Sequence, residues 1–93
     1  MIINDGINKL LKNMHLEIIT PDKKVFEGEV QSAKLPGSDG SFGVLKNHAP
    51  IISTLQKGTV KVTDSSQKVQ SFEVSGGVVE VTKNKIILLA ESV

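Results

Sequence analysis

Val69-Gln70-Ser71-Phe72-Glu73-Val74-Ser75-Gly76-Gly77-Val78-Val79-Glu80-Val81 is the stretch on which the fold turns. Phe72 and Val74 share one face of an alternating run. Ser75-Gly76-Gly77 is a tight bend, after which Val79 and Val81 alternate with Glu80. Period two on both sides of a glycine bend reads as strand, turn, strand. Toward the C-terminus, Lys83-Asn84 turns the chain and Ile86-Ile87-Leu88-Leu89 forms another strand. Toward the N-terminus the same rhythm continues. Val60 and Val62 alternate before the turn Thr63-Asp64-Ser65-Ser66, and Ile51–Leu55 is a strand ended by Lys57-Gly58. Phe42 and Val44 resume alternation after Gly37-Ser38-Asp39-Gly40-Ser41, a run of turn residues. Val30, Ala33 and Leu35 lead into Pro36-Gly37. Val25-Phe26 makes a short strand closed near Gly28, and Leu16 and Ile18 alternate with Glu17 before Pro21-Asp22.

About nine short strands with frequent turns predict an all-β chain, a flattened antiparallel β-sandwich that buries alternate side chains between two layers. Residues 14–93 form that domain. Residues 1–13 read differently: Ile2, Ile3, Ile7, Leu10 and Leu11 recur at helical spacing, so this extension is either a short amphipathic helix or a frayed leader. Met14 offers an alternative start. Three strands are apolar on both faces: Ile86 and Leu88 oppose Ile87 and Leu89, Val78 opposes Val79, and Ile51 adjoins Ile52. Only one face of a sandwich strand meets the core. The other must be covered by the N-terminal segment, by loops or by a partner.

Composition narrows the function. Ninety-three residues make one domain, and cysteine is absent, so no disulfide or thiolate–metal site braces it. The longest apolar run, Ile86–Ala90, falls far short of a membrane span, and the first residues lack the pattern of a cleaved signal peptide. Net charge is +1, all eleven cations are Lys, and three Phe are the only aromatics. A near-neutral chain without Arg is a poor candidate for nucleic-acid recognition.

The residues supply no active site. His15 sits at a strand start as an exposed residue, and His48 lies in a loop beside Pro50, where a structural or contact role outweighs catalysis. No metal-ligand cluster is visible along the chain. No serine occupies a G-x-S-x-G elbow, and Gly37, Gly40 and Gly43 match neither a dinucleotide fingerprint nor a P-loop. The expectation is a binding module with no catalytic residue, no metal and no cofactor.

The strand ends and loops are more specific than the strands. Val25-Phe26-Glu27-Gly28-Glu29-Val30 precedes Leu35-Pro36-Gly37-Ser38-Asp39-Gly40-Ser41-Phe42-Gly43-Val44-Leu45. His48-Ala49-Pro50, Lys57-Gly58, Val74-Ser75-Gly76-Gly77-Val78-Val79-Glu80-Val81 and Leu88-Leu89-Ala90-Glu91 follow. In this order and spacing, over about residues 15–92, the chain resembles the N-terminal domain of the epsilon subunit of F-type ATP synthases, called delta in mitochondria. The resemblance implies a flattened β-sandwich of about ten strands at the foot of the central stalk. It implies a gamma subunit and a membrane c-ring as partners, and a peripheral place on the cytoplasmic face of the bacterial inner membrane. The role implied is to couple proton translocation to ATP synthesis and hydrolysis.

Residue by residue, Ser38-Asp39-Gly40-Ser41-Phe42 matches the loop that meets the c-ring. His48 and Ser53, and also Thr20, match gamma-facing positions. The doubly apolar strands add Ile52 and Val78 to the expected gamma contacts. Ser41 stands where the family often has Glu, and Lys46-Asn47 stands where Pro-Gly is usual. The chain stops just after Ala90-Glu91, so the helical hairpin that inhibits hydrolysis and in some members binds ATP is expected to be absent, and no nucleotide is expected. The alternatives are a stand-alone β-sandwich adaptor with another partner and a small enzyme using His48.

Overall fold

The computed structural model describes residues 14–45 and 49–93; the expected helix or leader over residues 1–13, and His48, lie outside them. Nine strands follow one another: β1 (Met14–Ile19), β2 (Lys24–Val30), β3 (Ser32–Gly37), β4 (Gly40–Leu45), β5 (Ile51–Leu55), β6 (Gly58–Thr63), β7 (Val69–Val74), β8 (Gly77–Val81) and β9 (Lys85–Ala90). Alternation of apolar and polar residues is what makes them strands: in β1, Met14, Leu16 and Ile18 are buried while His15, Glu17 and Ile19 are half-buried on the other side. Two boundaries differ from the expectation. β2 runs through Gly28, which pairs with Leu16 and leaves room beside the Phe26 ring, so this glycine lies within the strand and does not close it. Pro36-Gly37 is the end of β3, where the proline carbonyl accepts a hydrogen bond from Gln56 N at 2.9 Å.

Expected as two packed sheets, the strands form one continuous sheet that curls into two layers. Its order is β2-β1-β9-β8-β5-β3-β6-β7, with β4 paired to β3. The corner is β3, whose Ser32–Lys34 segment pairs with β6 while Gly37 pairs with Leu55 of β5. The two ends of the order meet: the Phe26 ring of β2 lies 5.6 Å from the Phe72 ring of β7. All pairs are antiparallel except β1 with β9, which run parallel from His15↔Lys85 to Ile19↔Leu89. No short connection links those two strands, so no hairpin dictates their direction.

Between the layers lies an apolar core drawn from all nine strands, including Leu16, Ile18, Leu35, Val60, Val79, Ile86 and Leu88, with no buried polar or charged side chain among the described residues. Each such Val, Leu or Ile contributes about 1.5–3 kcal/mol on full burial. Close packing of this kind resists compression. The expected bend at Ser75-Gly76-Gly77 is present, with φ of +137° and +152° at the two glycines. A Cβ on Gly77 would strike the Leu89 carbonyl oxygen, so β8 approaches β9 this closely only with glycine there.

Candidate functional site

The doubly apolar strands β5, β8 and β9 lie side by side with β1, and their inner residues fill the core. Their outer residues stand in register across the sheet. Ile19 pairs with Leu89, Leu89 with Val78 and Val78 with Thr54. One pleat along, Glu17 pairs with Ile87, Ile87 with Glu80 and Glu80 with Ile52. At about 4.8 Å between strands, each row is roughly 15 Å long. The first is apolar until it reaches Thr54, and the second alternates carboxylate with apolar side chain. Ile52 is 74% exposed, Leu89 52% and Val78 39%. Monomer surfaces rarely leave such residues contiguous without use. Shallow hollows flank the rows. One of about 330 Å³ is lined by Ile19, Thr20, Pro21, Leu89 and Ala90, and another of about 370 Å³ includes Pro50, Ile52 and Glu80.

The Ser38-Asp39 turn projects from the Thr54 end. β3 and β4 close on a two-residue connection, with Gly37 opposite Gly40, whose φ of +127° favours glycine. Ser38 N donates to Thr54 O at 3.0 Å, and Thr54 Oγ1 donates to Ser38 Oγ at 2.9 Å. The tip is thus tied to the last member of the apolar row. Ser38, Asp39, Gly40 and Ser41 are exposed, whereas Phe42 is half-buried against the core.

The residues singled out by sequence therefore fall into groups. Ile52 and Val78 share the outer face, and Thr20 lines the hollow at its β1 end, where its hydroxyl donates to Lys23 O at 3.2 Å across the Pro21-Asp22 turn. Ser53 does not share that face: it pairs with the core residue Val79, and its hydroxyl donates to Thr54 O at 3.1 Å. Ser38 through Phe42 form one tip. His48 lies outside the described residues.

A cluster that sequence reading missed occupies the β1–β2 end of the same outer face. His15, expected to be simply exposed, is half-buried among carboxylates from two strands. Its Nδ1 lies 3.1 Å from Glu29 Oε2, and its Nε2 lies 3.1 Å from Glu27 Oε2 and 3.4 Å from Glu17 Oε2. The hydrogen bond to Glu29 holds the imidazole pKa above its ordinary value against the desolvation that lowers it, with Glu27 assisting. Lys24 Nζ, 2.7 Å from Glu27 Oε1, lowers the Glu27 carboxyl and is itself raised by it. One donor atom each from His15, Glu17 and Glu27 fit within 4.8 Å, a spacing that accommodates a cation, but Lys24 and Lys85 already stand beside those carboxylates. The signal was present in the pairing of Glu17 with Glu27 and His15 with Glu29, which no single strand reveals.

Residues 13–93 match the family described as ATP synthase, Delta/Epsilon chain, beta-sandwich domain. The chain is 45% identical over 82 residues to the ATP synthase epsilon chain of Chlorobium limicola, covering 88% of this chain and 93% of that one. It is 44% identical over 80 residues to the epsilon chain of Desulfatibacillum aliphaticivorans, covering 86% of this chain but only 57% of that one. It is thus similar to relatives of two lengths. Among solved structures, a chain of the Euglena gracilis mitochondrial ATP synthase superposes with a TM-score of 0.83 at 19% identity, over 87% of this chain and 52% of that one. A chain from the Tetrahymena thermophila mitochondrial ATP synthase central stalk and c-ring superposes at 0.66 and 15% identity, over 83% and 62%. At such identities the likeness is one of fold. Among the described residues, no helix is long and apolar enough to cross a membrane.

Proposed function

The chain belongs to the ATP synthase delta/epsilon β-sandwich family, and from that premise we propose that it is a non-catalytic rotor subunit that joins gamma to the c-ring. In this reading the outer face of β1, β9, β8 and β5 holds gamma, with Ile52, Val78 and Thr20 among the contacts. The family resemblance adds His48 and Ser53 as gamma contacts, although Ser53 points to the other side of β5 and would meet gamma only from outside this face. The tip Ser38–Phe42 meets the c-ring. The chain reaches the membrane through the complex, on the cytoplasmic face in a bacterium, and couples proton movement to ATP synthesis and hydrolysis.

The observation that carries the reading is the continuous row Ile19, Leu89, Val78 and Thr54, hydrogen-bonded at its end to Ser38. An apolar stripe suits permanent attachment, because burying it on a partner recovers about 25 cal/mol per Å². A tip fixed to that stripe by paired backbone and hydroxyl bonds suits the passage of torque. Catalysis needs no part in it.

The test is capture of gamma by the full chain and by Val78→Asp and Ile52→Asp variants, each checked for folding by urea titration. The reading expects gamma binding to fall at least tenfold while the unfolding midpoint moves little. Equal loss of binding and stability would count against the face, and full binding by both variants would remove it.

A further inference from the structure

The opposite outer face, on β4, β3 and β6, has no assigned role beyond Ser41 at the tip. Lys34 of β3 stands directly across from Lys61 of β6, and both are exposed. Like charges in directly opposed positions repel. Lys57 joins them along an open groove of about 410 Å³ that also includes Pro36, Ser41 and Thr59. The groove continues into a hollow of about 360 Å³ that shares Lys34, Ser41 and Lys61 and runs past Gly43, where a Cβ would meet almost nothing. Among the described residues, the ion pairs all lie on β1, β2 and β9, and none includes Lys34, Lys57 or Lys61. Glu73 of β7, on the same face, accepts a hydrogen bond from the Thr59 hydroxyl and pairs with no lysine.

We propose that this groove receives an extended, carboxylate-bearing polypeptide segment of the partner on which the β3–β4 tip docks. The inference rests on the reading of that tip as the ring contact, because Ser41 belongs both to the tip and to the groove. A segment leaving the tip enters the groove without a gap. It finds three ammonium groups unpaired among the described residues, the hydroxyls of Ser41 and Thr59, and Gly43, where no side chain stands in the way. A bilayer fits less well. Among the described side chains, the only large apolar one exposed on this face is Val69, at its far edge, and three lysines without apolar insertion attract a membrane weakly. A phosphate would more often meet the planar fork of Arg, which the chain lacks.

The experiment uses the assembled synthase containing this chain, treated with a water-soluble carbodiimide that joins neighbouring ammonium and carboxylate groups, and read by mass spectrometry. The Lys24–Glu27 pair is the internal control, since its groups are 2.7 Å apart. Amides from Lys34, Lys57 or Lys61 to an Asp or Glu of the ring are expected. The same amides to a different subunit would support an acidic occupant and overturn the ring reading of the tip. The control link alone would overturn the groove. In parallel, the double variant K34Q/K61Q should assemble at least tenfold more weakly, with a flatter salt dependence, while its thermal midpoint stays level or rises. Unchanged affinity and salt slope would overturn the proposal. So would binding of the isolated chain to phosphatidylglycerol vesicles that this double variant abolishes.

Discussion

The layer β2-β1-β9-β8-β5 and the layer β4-β3-β6-β7 bury the same kinds of side chain inside and present different chemistry outside. The first shows Ile19, Leu89, Val78 and Ile52 beside Glu17 and Glu80; the second shows Lys34, Lys57 and Lys61 beside Ser41 and Thr59. The inner faces are constrained by the core they share. The outer faces are free of it, so a residue such as Ile52, 74% exposed, contributes little to the isolated fold. Folding is thus carried by one set of alternate residues, and the proposed docking by the other set on the same strands.

The largest effect expected of this division lies within β9. Leu88→Ala empties a fully buried site and should lower stability by about 2–5 kcal/mol, whereas Leu89→Ala, one residue on, should stay within about 0.5 kcal/mol. Urea unfolding of both variants checks this, and equal costs would make the outer stripe part of the isolated fold. Next comes partner affinity. Leu89→Asp should weaken gamma binding roughly thirtyfold, in the range of an interface anchor, while Ser71→Asp on the other layer leaves it within twofold in the same titration. A twofold loss from both would erase the contrast between the faces. A smaller effect tests the lysine face: Lys61→Gln removes a directly opposed like charge and should raise stability by a few tenths of a kcal/mol, about 0.2–0.5. A fall in stability would mean that Lys61 is already compensated.

An effect of similar size, confined to low pH, belongs to His15. Its carboxylate neighbours raise its pKa in the fold, so its contribution is fully present below the ordinary imidazole range and fades as pH rises through the raised value. His15→Gln should therefore cost about 0.3–0.5 kcal/mol near pH 5.5, the size of an exposed ion pair, and nothing near pH 9. Stability curves of the two proteins that stay parallel across this range would remove the histidine from the account.

Much of this was legible in the sequence. Alternation assigned Leu16, Ile18, Val79, Val81, Ile86 and Leu88 to one side, and all of them are in the core. The doubly apolar runs revealed the outer stripe, and Gly37-Ser38-Asp39-Gly40 revealed the tip. What stayed hidden depends on which strands are neighbours. Residues 14–19 and 85–90 pair in parallel across the whole length of the domain, and period two says which way a side chain points but not what lies beside it. The His15 cluster and the Lys34–Lys61 opposition arise from such pairings. The residues expected to face gamma show the reverse case. Ile52 and Ser53 are consecutive strand residues and so point to opposite sides, a separation that alternation alone already demanded.

The absence of native cysteine allows the central claim, that one outer face is open in the free chain and covered in the complex, to be measured directly. Val78→Cys and Leu89→Cys variants, with Lys68→Cys in the β6–β7 turn as reference, are labelled with a maleimide first as free chains and then in the assembled synthase. All three should label readily when free. In the assembly Val78→Cys and Leu89→Cys should be protected at least tenfold while Lys68→Cys keeps its rate. Equal labelling of all three in a working synthase would contradict the account.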